Sequence, residues 1–338
     1  MIASTDAERK EYQNVWVVAE VLSGEIQSVT YELTGTARSL ADLRKSEVWV
    51  VVMGTGIDKG KLESLYGYGA DVVIRVDNPA LSEFVDEIEA QVMKRLIVKY
   101  KPEVVICGAT TRGRALMPRI SVMSHCGLTA DCTGLSIDAE NGDLLQTRPA
   151  FGGNIMATIR SPNHRPQMAT VRPGVMKAPE PDPSHAGRII EESVLADDTN
   201  KIKQIVDVFH SDEASFNLAD AEIIVAGGRG VKGPEGFDLL KKFAEKLGGA
   251  AVGASRAAID SGWIAYAHQI GQTGQTVQPK VYIACGISGQ IQHLVGMQSS
   301  DLIIAIDKNP DTPMMQIADI AVVGDIFEVI PEIISELS

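Results

Sequence analysis

The sequence predicts an α/β fold in two domains: an N-terminal α/β nucleotide-binding-like domain with an antiparallel extension over residues 1–210, and a C-terminal doubly wound parallel-sheet domain over 211–338. Three observations carry this expectation. At 338 residues the chain exceeds the size at which one hydrophobic core keeps growing. Short β-branched runs alternate with longer amphipathic stretches, the pattern of a parallel sheet covered by helices on both faces. A second alternation of the same kind starts afresh after the polar segment HSDEASFN at 210–217.

In the first domain, residues 15–21, 48–54, 72–76 and 104–110 are the expected strands. Between the last two, Leu81, Phe84, Val85, Ile88, Val92 and Leu96 recur at helical spacing with acids and lysines on the other face, which gives a βαβ crossover. After residue 130 shorter runs follow, LSID, LLQTR, MATIR and QMATVRP, and these form the expected antiparallel extension; Asn141-Gly142 is a hairpin cue between the first two. The proline- and acid-rich APEPDPSH at 178–185 is an exposed connection within the domain, because IKQIVDVF at 202–209 still has the pattern of a strand. In the second domain EIIVAGG (222–228) is a strand, PEGFDLLKKFAEKLGG a helix closed by a glycine pair, and AAVGASR, KVYIACG (280–286), DLIIAID (301–307) and AVVGDIF (321–327) are four further strands.

Composition narrows the function classes. A formal charge of -13 argues against a nucleic-acid or anionic-membrane partner, which clustered Lys and Arg would serve. Cys107, Cys126, Cys132 and Cys285 form no CxxC pair and lie far from His-rich spacing, so no zinc or iron-sulfur site is expected and the thiols are expected reduced and mostly buried. MIASTDAERKEYQN lacks the apolar segment of a secretory signal and the arginines of an organellar presequence, and no apolar run approaches the ~18 residues that span a bilayer. The expectation is a soluble cytoplasmic protein without membrane insertion.

Gly228, Gly230 and Gly233 form a GxGxxG between a strand and a helix, the context of a dinucleotide fingerprint. The acid that normally follows at the second strand tip is absent, and that tip carries Gly253, Ala254, Ser255 and Arg256. Either an NADP phosphate meets Arg256, or another anionic or electron-rich ligand does. Ligands of open α/β sheets sit beyond the carboxyl ends of the strands, where this sequence offers Arg229, Ser255, Arg256, GISGQIQH (286–293), Asp307 and Asp325. GISG is expected to open a helix and face a phosphate with backbone N–H groups, which puts His293 about two turns into that helix. QIGQTG at 269–274 offers amides and a hydroxyl without net charge, a lining suited to a large planar heterocycle such as a flavin.

The stretches VGASRAAIDSGW, HQIGQTGQTVQPKVYIACGISGQIQHLVGM and IIAIDKNPDTPMMQIADIAVVGDIFEVIPEI resemble the FAD-binding domain of the electron transfer flavoprotein alpha (large) subunit. YQNVWVVAE, GATTRGRALMPRIS and TRPAFGGNIMATIRSPNHRPQMATVRPGVM extend the resemblance over nearly the whole chain. It implies FAD in the C-terminal domain, a heterodimer with a beta subunit, and a first domain that contacts the partner and holds no cofactor of its own, in keeping with the lack of a Gly-rich loop after residues 15–21. Carried over motif by motif, the implied FAD contacts are Arg229, Ser255, Arg256, Gln269, Gly271, Gln272, Thr273, Gly286, Ser288, Gly289, Gln292, His293, Asp307 and Asp325. Where this chain has Asp307, the family commonly has Asn.

The resemblance further implies that Arg256 lies over the isoalloxazine, His293 beside its O2 and Thr273 near its N5. The first two would favour the negatively charged reduced ring. The implied function is electron relay between NADH or acyl-CoA-type dehydrogenases and other partners: an acyl-CoA dehydrogenase or quinone reductase, or ferredoxin or flavodoxin. Members from anaerobes bifurcate electrons with a second FAD in the beta subunit, and the YQNVWVVAE opening leans that way. Nothing in the residues suggests proton abstraction or covalent catalysis, so oxidoreductase activity is expected only of the heterodimer. An NADP-binding α/β oxidoreductase subunit is the alternative, and a non-redox scaffold a third class.

Overall fold

The computed structural model describes residues 6–150, 155–199, 205, 218 and 221–337. The chain divides into two compact units, Met1–Val208 and Phe209–Ser338. The strand expected at 202–209 lies, apart from Ile205, outside the described residues, as does the linker at 210–217.

The first unit is built on β1 (Gln13–Val18), α1 (Ser28–Arg44), β2 (Val48–Gly54), α2 (Lys59–Gly67), β3 (Val72–Asp77), α3 (Asp86–Tyr100), β4 (Pro102–Gly108) and α4 (Thr111–Ser124). Continuous apolar strands such as VWVVVMG suit a sheet buried on both faces. Successive side chains point to opposite faces. Val15, Val17, Val50 and Val52 therefore pack toward Leu33, Ala37 and Leu40 of α1 and Leu62 and Leu65 of α2. Trp16, Val18, Val51 and Met53 pack toward Ile88, Val92 and Leu96 of α3 and Leu116, Met117 and Ile120 of α4.

Two boundaries differ from expectation. The first strand ends at Val18, and Val21–Leu22 pairs antiparallel with Glu25–Ile26 around Ser23 and Gly24, both at positive φ. Helix α3 begins only at Asp86: Pro79 starts a separate 3-10 turn through Leu81, so Leu81 and Phe84 precede the helix although they keep its spacing. Three acids in the first turn of α3 suit its positive dipole end.

Downstream lie β5 (Leu128–Cys132), β6 (Gly134–Ile137), β7 (Leu144–Ala150), β8 (Ile155–Ile159), β9 (Gln167–Val171) and β10 (Arg188–Glu192). Strands β6, β7 and β8 form the antiparallel extension, with Gly142 at φ 74° in the first turn. QMATVRP does not belong to it. Its strand β9 inserts parallel between β4 and β5, because every residue of QMATV is buried and a strand enclosed on both faces suits the main sheet. β10, which carries only two apolar residues and gave no strand signal, joins the other edge beside β3. The parallel sheet thus has seven strands in the order β10-β3-β2-β1-β4-β9-β5.

The second unit comprises β11 (Ile223–Gly227), α5 (Pro234–Lys246), β12 (Ala251–Ala254), α6 (Arg256–Asp260), β13 (Val281–Cys285), α7 (Ile291–Leu294), β14 (Leu302–Asp307), α8 (Pro313–Ile317), β15 (Ile320–Val323) and α9 (Ile326–Glu336). Its five strands run parallel in the order β12-β11-β13-β14-β15, so the direction of winding reverses between β11 and β13. Phe237, Leu240 and Phe243 of α5 and Ile326 and Ile330 of α9 cover one face. Tyr282, Ala284, Leu294, Met297, Met314 and Met315 fill the other.

GISG does not open a helix: α7 is a single turn starting at Ile291, and His293 is its third residue rather than two turns in. Gly286 and Gly289, at φ 61° and 79°, keep the intervening segment from winding. The described residues contain no helix long and apolar enough to cross a membrane. All four thiols are free, and burial pushes Cys126 and Cys285 up to about 12 and Cys132 to about 11.

Candidate functional site

Two loops meet where the second sheet reverses its winding. Beyond β11, Gly228 N donates to Cys285 O at 3.0 Å and Gly230 N to Gly286 O at 3.0 Å. A Cβ on Gly230 would stand 2.6 Å from Gly286 Cα, and one on Gly286 equally close to Gly230 Cα. Only two glycines permit this backbone approach, which is the physical content of the GxG before Val231.

A third loop, QIGQTG, closes over the same edge. Gly271 sits at φ 138°, where a Cβ would stand 2.7 Å from Gln292 O, and Gln272 N donates to that carbonyl at 2.7 Å. Gln269, buried, donates from Nε2 to Thr273 Oγ1 at 3.0 Å, while Tyr266 donates its hydroxyl to Thr273 O at 2.6 Å. The loop is therefore locked to α7 on one side and braced internally on the other.

Together the strand tips enclose a cavity of about 630 Å³, within the usual range of roughly 300–1,000 Å³ for cofactor sites. Arg229, Ser255, Arg256, Gln269, Gly271, Gln272, Thr273, Gly286, Ser288, Gly289, Gln292, His293 and Asp307 all line it. Asp325 does not. It caps α9 by accepting from Phe327 N at 3.1 Å and pairs with Lys308 Nζ at 2.6 Å, and that lysine holds its carboxyl below the usual range. The reason is topological: α9 follows the outermost strand β15, away from the reversal between β11 and β13.

Gly228 and Gly230 of the fingerprint, Ile270 of QIGQTG and Ile287 and Gln290 of GISGQIQH also line it, and Ala257, Asp260, Asn309 and Thr312, which were not anticipated, complete the lining. Asp260 had a signal, since it follows Arg256 at i,i+4, and its Oδ2 lies 3.3 Å from Arg256 Nε. Asn309 and Thr312 belong to the KNPDT turn after β14, where Asn309 N donates to Asp307 Oδ1 at 2.9 Å and Thr312 caps α8. The lining thus sets two guanidiniums, Arg229 and Arg256, against two carboxylates, Asp260 and Asp307, among neutral amides, hydroxyls and backbone.

His293 is buried, 6 % exposed, and its Nε2 lies 2.9 Å from the Tyr282 hydroxyl. Burial pushes its pKa down to about 4, with a hydrogen bond to the Ile270 backbone working the other way, so the imidazole is neutral near pH 7. Its Nδ1 is buried without a hydrogen-bond partner of normal geometry. Among the described residues no group of three or more His, Cys, Asp or Glu is arranged to hold a metal ion.

Residues 15–197 match the family model for the electron transfer flavoprotein domain, and residues 217–298 the one for the electron transfer flavoprotein FAD-binding domain. The electron transfer flavoprotein subunit alpha of Thermoanaerobacterium thermosaccharolyticum is 50% identical over 97% of this chain and 98% of its own length. The chain belongs to the electron transfer flavoprotein alpha-subunit family. The subunit alpha of Clostridium acetobutylicum is 46% identical over 97% of this chain and 98% of its own. The LctC subunit of the lactate dehydrogenase (NAD(+),ferredoxin) of Acetobacterium woodii is 43% identical over 96% of this chain and 77% of its own. For an electron transfer flavoprotein the cofactor is a flavin, and the FAD-binding match ends before β14, so Asp307, Asn309 and Thr312 enter the cavity from outside the matched segment.

The lining fits such a group. The glycine contacts leave backbone rather than side chains at the reversal point, and the uncharged QIGQTG loop offers amide and hydroxyl partners.

Proposed function

We propose that this chain holds FAD in the cavity between β11 and β13 and, paired with a beta subunit, relays electrons between a dehydrogenase and further redox partners. The observation that carries the reading is the convergence of Arg256, the QIGQTG loop and a buried, neutral His293 on one cavity at the reversal point of the FAD-binding unit. When bound, FAD supplies one- and two-electron redox chemistry. The first unit holds no cofactor of its own and contacts the beta subunit.

Arg256, at the start of α6, presents a positive charge to the cavity and so favours negative charge within it. His293, kept neutral by burial, adds no charge to the lining. Thr273, whose Oγ1 accepts from Gln269, keeps its own hydroxyl hydrogen free to donate. Gln269 and Tyr266 orient that threonine. Asp307, occupied by Asn309 N on Oδ1, would have its other oxygen left to accept from a hydroxyl of the cofactor.

Similarity to LctC, a subunit of a lactate dehydrogenase acting with NAD(+) and ferredoxin, supports bifurcation with ferredoxin or flavodoxin as acceptor; an acyl-CoA dehydrogenase or quinone reductase is the partner expected of a simple relay. The test is co-expression with the beta subunit, followed by the visible spectrum and a count of flavins per heterodimer. One flavin per heterodimer fits simple relay and two fit bifurcation. A colourless complex that does not take up added FAD refutes the reading.

A further inference from the structure

In the first sheet the direction of winding reverses between β1 and β4, and side chains of the chain itself converge there. Glu20 follows β1, while Thr110 and Arg112 follow β4 and open α4. The Arg112 guanidinium donates to Glu89 Oε1 of α3 and to Val21 O of the hairpin beyond β1, and it lies over the Phe84 ring, 4.6 Å from its centre. Glu89 is 2% exposed. Glu20 takes a hydrogen bond from the Thr110 hydroxyl, yet its Oε2 is buried without a partner. The other charged groups around the cluster are engaged elsewhere. Asp86 of α3 accepts from Arg119 Nε at 2.9 Å, Glu87 lies 4.0 Å from the same guanidinium, and Glu25 of the hairpin pairs with Lys61 Nζ at 2.6 Å. Cys107 of β4 keeps its thiol proton, since burial and the two glutamates push its pKa up. Glu20 and Glu89 are thus left with one guanidinium between them, and a buried charge without a partner is costly.

We propose that Glu20 and Glu89 share one proton beside Arg112, which makes the cluster a pH-sensitive clasp on the first unit. With that proton in place the two carboxyls and the guanidinium sum to zero charge, and Arg112 ties the 21–26 hairpin to α3 and α4. Its loss leaves a buried negative charge without a cation, and the clasp weakens. Burial raises both carboxyls; Glu89, drawn down by Arg112 but pushed further up by Glu20 and Asp86, reaches about 7. Because the two acids interact, the titration belongs to the pair. The folded chain holds a proton that the unfolded chain, with a pKa near 4.5, gives up. The stability this contributes is full below about 4.5 and is lost as the pH rises through about 7.

The test uses the full chain and needs no flavin. Infrared spectra are recorded as the pH rises from about 4.5 past about 7, with glutamate carboxyls labelled with carbon-13 so that their bands are told from those of aspartates. The unaltered chain is expected to show a protonated glutamate C=O stretch that fades near pH 7. Glu20→Gln leaves Glu89 alone with Arg112, and the band is expected to fade at a pH lower by about one unit or more. In Glu89→Gln no glutamate band is expected to fade near pH 7, and urea midpoints relative to the unaltered chain are expected to rise between about pH 4.5 and 7. A chain with no glutamate band fading near pH 7, a band that Glu89→Gln leaves in place, or one that Glu20→Gln does not move overturns the inference. The last outcome would mean that Glu89 titrates by itself. Should neither variant fold, the presence or absence of the band in the unaltered chain decides alone.

Discussion

Replacing Arg256 by alanine is expected to lower the midpoint potential of bound FAD. A unit charge about 4 Å from the reduced ring, at an effective dielectric near 20, would contribute about 4 kcal/mol. Two features of the site reduce that figure. The Arg256 side chain is 69% exposed, and Nε stands 3.3 Å from Asp260 Oδ2, itself 63% exposed. Charges so open to water are worth roughly 0–1 kcal/mol, so the net contribution falls to no more than about 1 kcal/mol. At about 59 mV per tenfold for one electron, the expected drop is at most about 40 mV. Redox titration of the FAD-replete complex reads it directly. Asp260→Asn, which removes the opposing carboxylate, is expected to move the potential up by a smaller amount. An Arg256→Ala complex that retains FAD at an unchanged potential refutes the assigned role, and a downward shift in Asp260→Asn refutes the pairing argument.

Gly230→Ala places a methyl 2.6 Å from Gly286 Cα, so this variant is expected to lose FAD while keeping the far-ultraviolet circular dichroism of the folded chain; normal flavin content would show that the two loops can part. His293, with its pKa held near 4 against 6.5 when unfolded, refuses a proton that the unfolded chain accepts. Stability is therefore expected to fall as the pH drops from about 6.5 toward about 4, and His293→Gln to flatten that slope in urea midpoints measured across the window. In the first unit, Arg112 pairs with Glu89, whose carboxyl is 2 % exposed and pushed up to about 7 by burial despite the guanidinium. Arg112→Ala leaves that acid without its cation and is expected to cost about 3–5 kcal/mol by denaturant titration, with Glu89→Gln in the same chain recovering part of the loss.

Much of the fold was legible because the strands are apolar on both faces. VWVVVMG and KVYIACG admit little other than a buried parallel strand. Sheet neighbours were less legible: QMATV has the composition of a central strand, yet only the three-dimensional packing tells that it enters between β4 and β5. RIIEE was missed because an edge strand buries little and so carries few apolar residues. The candidate site shows the same division. Residues at strand tips near the reversal point were readable from the rule on carboxyl ends, and Asp325, at an equivalent tip, does not line this cavity because its strand is outermost. Helical spacing from Gly286 could not show that positive φ at Gly286 and Gly289 delays the turn until Ile291. Tyr282 had no signal at all, since in the sequence it is one more large residue in a core strand.

The long-range insertion of β9 and β10 bears on how the chain is made. Strands β3, β2, β1 and β4 are complete once residue 108 has left the ribosome, but β4 waits for residues 167–171 and β3 for residues 188–192. During that interval both flanks of a four-stranded apolar sheet stay unzipped, each a template for the wrong neighbour. Synthesis that stalls between α4 and β9 would release a fragment prone to clumping, and chaperone engagement should peak over that stretch of the message.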